Sequence, residues 1–293
     1  MKKKNVIAAK LGRAWKVIRT NAQLRTGLIL VLILVALALL APVISPYDPY
    51  KLTNELQAPP GTAGANGAPA HWLGTDKLGH DILSQMLWGA RTSLRIGLTA
   101  ALIAAVVGTL IGGVAGYFGG RVDKVIVEFV NIFVMTPSFF LILIIVAIFG
   151  SNMTYVMIVI GLTSWPGNAR LMRAQAISLR SRTFIKSCQA MGESKLSIMF
   201  RHIIPNGIFP IVANTTMMIS GGILTEAGLS FLGLGDPNIS SWGQMINAGK
   251  PLLTKAPWVA LVPGVAVVIT VLAFFLIGDG LNRVIAPKMN ANK

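Results

Sequence analysis

The run Gly27-Leu-Ile-Leu-Val-Leu-Ile-Leu-Val-Ala-Leu-Ala-Leu-Leu-Ala-Pro-Val-Ile44 contains no charged and no polar side chain. A helix of about 20 mostly apolar residues crosses the hydrocarbon core of a bilayer, so the run reaches spanning length. In lipid there is no water to satisfy backbone N–H and C=O groups, and a helix satisfies them within the segment itself. Five further apolar segments follow, at about 97–118, 125–149, 153–172, 205–224 and 258–278. Alternating strand patterns are absent. The expectation is an all-α membrane protein with six transmembrane helices.

Composition points the same way. Of 293 residues, 54% are hydrophobic and 12% are charged, about half the charge of a soluble domain. Spans and loops use up the chain, leaving one membrane domain. The net charge of +16 does not indicate a nucleic-acid partner, because the basic residues lie between the apolar runs rather than on one patch. Lys2, Lys3, Lys4, Lys10, Arg13, Lys16, Arg19 and Arg25 precede the first run, and Pro42 and Pro46 stand where a cleavage site would need small residues. The run therefore reads as an uncleaved first span. With residues 1–26 inside, twenty of the 26 Lys and Arg fall on that side. Basic residues mark the cytoplasmic face, so both tails, 1–26 and 285–293, are expected there.

Two outer regions are long. Residues 45–96 include a Pro/Gly/Ala-rich stretch, 57–70, read as a flexible loop tip without chemistry, and an amphipathic segment around Ile82–Leu94. The second, about 225–257, holds Trp242 and is followed by Trp258; both suit a membrane–water interface. The remaining spans lie in a core, 97–284. Gly108, Gly112 and Gly116 form a small-residue row that admits a neighbouring helix closely. Pro137 and Pro263 are expected to kink their segments.

The inner loop at about 179–204 is too polar to span and too patterned for a linker. Phe184, Cys188 and Met191 recur at helical spacing, then Leu196, Met199, Phe200 and Ile203. Gly192 between the sets suits a turn or C-cap, and Pro205 suits the start of the next helix. The expected product is a short cytoplasmic helix with one face for its own bundle. Its other face suits either a partner or lipid headgroups.

No catalytic set is visible. Cys188 is the only cysteine, which excludes an internal disulfide and a cysteine-based zinc cluster, and reads as a small buried or interfacial apolar residue. His71, Asp76, His80 and Asp81 are ligand types close in sequence, but the intervening glycines indicate turns; no metal site is expected. No Gly-x-x-x-x-Gly-Lys-Ser/Thr phosphate loop occurs, since Gly249-Lys250 continues into Pro251. Glu226 is a candidate to line a pathway or, favoured, to pair with Arg91 or Arg95 at the outer interface. Glu128 and Asp279 sit near cytoplasmic ends of spans and are expected to be solvated.

Gln189-Ala-Met-Gly192, followed by His202-Ile-Ile-Pro205-Asn206, resembles the cytoplasmic coupling loop of ATP-binding-cassette importer permeases. Gly192, Ile204 and Pro205 match the family spacing, and Lys186, Ser187 and Cys188 stand where Glu-Ala-Ala is usual. His71-Trp-Leu-Gly-Thr-Asp76, Leu78-Gly-His-Asp81, Gly89-Ala-Arg-Thr-Ser-Leu94, Ala115-Gly-Tyr-Phe-Gly-Gly120, Leu229-Ser-Phe-Leu-Gly-Leu-Gly235, Trp242-Gly243 and Leu272-Ala-Phe with Gly278-Asp-Gly-Leu281 resemble, in order, the dipeptide/oligopeptide/nickel group of C-subunit type. His80 departs from the Arg common there.

The resemblance covers about 25–290. It implies the type I importer permease fold in a prokaryotic inner membrane, with Phe184, Lys186, Cys188, Ala190, Met191, Gly192, Leu196 and Pro205 in the ATPase-coupling segment. It further implies a second permease subunit, two ATPase subunits that use ATP and Mg, and an extracytoplasmic binding protein, with no cofactor on this chain. Peptide, nickel chelate, opine and oligosaccharide all remain as substrates, with peptide the leading class. A secondary transporter would need its own coupling-ion site and usually repeats, and a membrane enzyme a clustered catalytic set; neither is found.

Overall fold

The computed structural model describes residues 18–290, with side chains as far as Val284. The tail residues Lys2 to Lys16 and Lys293 lie outside that range. Among the described residues the ordered elements are helical: α1 (Ala22–Ile44), α2 (Ile82–Phe118), α3 (Gly120–Met135), α4 (Ser138–Phe149), α5 (Met153–Ser164), α6 (Pro166–Arg180), α7 (Thr183–Ala190), α8 (Lys195–Ile198), α9 (Ile204–Phe231), α10 (Trp242–Gly249) and α11 (Trp258–Asn290). Four helical stretches are long and apolar enough to cross a membrane, and the α3–α4 pair makes a fifth if taken as one bent span.

α2 is the central post. It packs against α6, α9, α5 and α1, and α11 packs against α9 and α1. Small residues make these approaches close. A Cβ at Gly27 would lie 2.7 Å from the carbonyl oxygen of Ala273 on α11. On α2, a Cβ at Gly108 would meet the Trp165 carbonyl oxygen at 2.7 Å, one at Gly112 would meet the Ala169 backbone, and one at Gly116 would meet the Arg173 carbonyl oxygen. The glycine row thus lies along the start and middle of α6.

Several boundaries differ from those read in the sequence, each for a physical reason. The amphipathic segment at 82–94 and the span at 97–118 are one helix, because Asp81 caps it by accepting from the Ser84 N–H at 2.7 Å and no breaker follows. The segment 125–149 bends by 76° between α3 and α4; Pro137 lies at the bend, where it removes a backbone donor. The segment 153–172 divides at Trp165. Pro166 supplies no N–H there, yet Trp165 keeps αR dihedrals and its carbonyl accepts from Ala169 at 3.0 Å. Helical geometry therefore continues from α5 into α6. The last helix runs through Pro263.

The stretch 57–70 is also more fixed than its composition suggests. Glu55 Oε1 accepts from the Ala65 N–H at 2.8 Å, the Gly61 N–H donates to the His71 carbonyl at 2.9 Å, and Tyr47 Oη donates to the Pro69 carbonyl. Two side chains and a backbone carbonyl outside the stretch hold its backbone, which composition within it cannot reveal. Trp242 is buried rather than interfacial: it lies against Gly89 and donates its indole N–H to the Met86 carbonyl at 3.1 Å.

Candidate functional site

The inner loop is built from α7 outward. Ile185 is fully buried and anchors α7, while its neighbours Phe184 and Lys186 are exposed. At the end of α7 the Glu193 N–H donates to the Cys188 carbonyl and the Gly192 N–H to the Gln189 carbonyl, both at 3.1 Å. This is the six-to-one and five-to-two pattern that closes a helix through a left-handed residue, and Gly192 supplies it at φ +79°. Ser194 then caps the next turn by accepting from the Ser197 N–H at 3.2 Å. One turn, α8, passes through a π turn at Met199–Ile203 directly into α9, with Pro205 in its first turn.

The second half of the loop is therefore the continuous N-terminal start of α9, not a separate helix. Ile198, Met199 and Ile203 are buried together with Tyr117, Met172, Ala176 and Ile211. Phe184, Met191, Leu196 and Phe200 stay exposed, Met191 at 76% and Leu196 at 60%. Ala190, Gly192 and Pro205 are exposed as well, and Cys188 is half-buried. Lys186 borders a hollow shared with Asp123, Arg180 and Gln189. The loop thus has a docked apolar face and a free one.

This face belongs to a recognisable architecture. Residues 108–291 match the family model described as binding-protein-dependent transport system inner membrane component. The chain belongs to that family. It is a permease subunit of an ATP-binding-cassette importer, and in such systems the ATPase is a separate subunit. Residues 11–60 match the N-terminal transmembrane domain of oligopeptide transport permease C.

Similar proteins include the glutathione transport system permease protein GsiD of Pectobacterium atrosepticum, 38% identical over 94% of this chain and 89% of the relative. The dipeptide transport system permease protein DppC of Alkalihalophilus pseudofirmus is 36% identical over 95% and 90%. The oligopeptide transport system permease protein OppC of Bacillus subtilis is 34% identical over 92% and 87%. In fold, the chain is similar to the MetNI methionine transporter in an inward-facing conformation, with TM-score 0.55 and 18% identity, over 68% of this chain and 95% of that one.

Elsewhere in this permease the candidate residues take other partners than expected. Glu226 does not pair with an arginine. It is buried near the C-terminal end of α9, its Oε1 accepting from Ser230 Oγ and Ser241 Oγ at 2.7 Å each. Oε2 has no partner. Arg91 lies over the Trp88 ring at 5.1 Å instead. Asp279 pairs with Arg283 at 2.9 Å.

His71, Asp76, His80 and Asp81 separate into two pairs, His71 Nδ1 with Asp81 Oδ1 at 2.9 Å and His80 Nδ1 with Asp76 Oδ2 at 2.8 Å. Each pair pins a turn between α1 and α2. Sequence reasoning missed an amide cluster inside the bundle, where Asn214 Nδ2 donates to Asn168 Oδ1 at 2.9 Å and Asn168 Nδ2 to Thr215 Oγ1 at 3.2 Å. The available signal was two amides interrupting apolar runs.

Proposed function

We propose that this permease forms half of a six-span translocation pathway for small peptides, with both termini cytoplasmic, and that Phe184–Pro205 couples it to an ATPase. The observation that carries the reading is the free apolar face of Phe184, Met191, Leu196 and Phe200 on a loop anchored by Ile185, Ile198, Met199 and Ile203. Exposed apolar side chains interspersed along the loop with the exposed Arg182, Lys186 and Lys195 are poorly placed in water and suit a protein groove. An anchored loop moves with its bundle, so closure of two ATPase subunits on ATP and Mg would rock the helices and alternate access. ATP must bind the two states unequally for this to do work. Peptide as the substrate class is supported by the dipeptide, oligopeptide and glutathione names of the relatives. A second permease completes the pathway and an extracytoplasmic binding protein delivers the solute.

The sixth crossing in this reading is α5 with α6. Its outer start meets the outer region, the Met153 N–H donating to Asp236 Oδ2 at 3.1 Å. Its far end leads into the 179–204 loop and meets the end of α2, Arg180 Nη1 donating to the Phe118 carbonyl at 3.4 Å. The 28 residues span about 42 Å as helix.

The test is co-purification. The double substitution Met191→Asp with Leu196→Asp should abolish recovery of the ATPase subunits with the membrane pair. The thermal midpoint of the isolated permease should be unchanged, because both positions are exposed. Undiminished ATPase recovery would overturn the docking assignment.

A further inference from the structure

The turn after α7 brings three different metal-ligating side chains together. Cys188 Sγ, a Glu193 carboxylate oxygen and a His202 ring nitrogen lie within 4.8 Å of one another. His202 Nε2 is 3.0 Å from Glu193 Oε2. The geometry points to a binding site for a borderline-soft divalent cation of the zinc class, held by Cys188, Glu193 and His202 with water completing a tetrahedron.

The donor set fits that class. Thiolate, imidazole and carboxylate together suit zinc, which binds sulfur at about 2.3 Å and nitrogen at about 2.0 Å in tetrahedral geometry. Such bond lengths place neighbouring ligand atoms about 3.5 Å apart, within reach of side-chain rotation from the present positions. The Gly192 turn fixes Glu193 over Cys188 through the backbone bond between them. Ser197 Oγ donates to the second carboxylate oxygen, Glu193 Oε1, at 2.6 Å, the kind of outer contact that orients a metal ligand. All three side chains are half-buried, which leaves an entry path and room for water. The other histidines, His71 and His80, are committed to Asp81 and Asp76.

Binding would release the thiol proton to solvent, since the thiolate is the ligand. A cation held by all three would tie the end of α7 to the π turn before α9. Any effect on uptake rests on the coupling role proposed for this loop; the binding itself does not.

Cobalt(II) is the probe, titrated into the untagged full-length chain in detergent. Cys188 is the only cysteine, so any thiolate-to-cobalt charge-transfer band in the near ultraviolet reports this site. The expected result is a band that saturates at one equivalent, is displaced by zinc, and disappears in Cys188→Ser. Glu193→Gln and His202→Gln should each weaken cobalt affinity clearly, and Ser197→Ala should weaken it about tenfold. Absence of the band in the unsubstituted chain would overturn the site. So would a band whose affinity is unaffected by both Glu193→Gln and His202→Gln, since the thiolate would then be acting alone. Because the first arm uses the unsubstituted chain, misfolding of a variant cannot imitate either result.

Discussion

Gly192 at φ +79° occupies a backbone region that costs a residue with a Cβ about 1–2 kcal/mol, while asparagine adopts it more readily. Open space surrounds the position, so backbone conformation, not crowding, sets the outcome. Gly192→Val should distort the turn and uncouple the transporter. In purified complexes, ATP hydrolysed per solute imported should rise several-fold, with Gly192→Asn close to the unsubstituted value. The same turn carries Glu193, whose carboxyl is held below the ordinary range chiefly by the Ser197 hydroxyl and then by His202. Burial, then the charge of Glu193, push the Cys188 thiol up. At the other end of α9, Glu226 Oε1 gathers Ser230 and Ser241 onto one acceptor. Glu226→Ala strands those hydroxyls in a buried site and should lower stability by about 1–3 kcal/mol. Glu226→Gln keeps an acceptor and should lose far less, as thermal unfolding in detergent would register. Equal losses from the two variants would separate Glu226 from this polar clasp.

At the scale of elements, the close face between α2 and α6 is the most sensitive. A side chain at Gly112 would run into the Ala169 backbone, which cannot rotate away. Gly112→Leu should therefore destabilise the bundle by about 1–3 kcal/mol or more, read as a lower melting midpoint. Gly264→Leu, facing open space on α11, serves as the tolerated control. The helical class and the apolar segments were legible because lipid enforces them residue by residue, as in Gly27–Ile44. The breaks were legible only in part. Pro137 announces its bend, whereas Pro166 interrupts the ladder without ending helical geometry, a distinction that depends on the Trp165 dihedrals. In the loop, apolar spacing located two amphipathic halves but not which residues dock. Ile185 and Ile198 are the anchors because α2 and α6 offer Tyr117, Met172 and Ala176 to them, a contact from distant parts of the chain. The meeting of Cys188, Glu193 and His202 was hidden for a related reason. It depends on a left-handed turn followed by a π turn, and neither follows a simple helical period.

For the whole molecule, the open quantity is the number of crossings, and the chain's own chemistry provides a way to count them. Four long helices and the bent α3–α4 pair account for five, so orientation depends on whether α5 with α6 crosses as one. If it does, the Ser151–Asn152 corner lies outside and the Met191 turn inside; if not, both lie on the same side. Charge favours the first arrangement. Arg170, Arg173, Arg180, Arg182, Lys186, Lys195 and Arg201 cluster at the α6 and inner-loop end, and clustered basic residues are retained in the cytoplasm. The α5 end instead meets Asp236 of the outer region. Cys188→Ser removes the only thiol, and Asn152→Cys and Met191→Cys then place single reporters at exposed positions. A membrane-impermeant maleimide should label Asn152→Cys in intact cells and Met191→Cys only in inside-out vesicles from cells lacking the ATPase subunits. Leu78→Cys, half-exposed in the first outer region, should follow Asn152→Cys. Labelling of both the 152 and 191 reporters from one side would remove the sixth crossing. It would also put the N- and C-terminal tails on opposite faces, and the alternating-access reading would then need a different partner geometry.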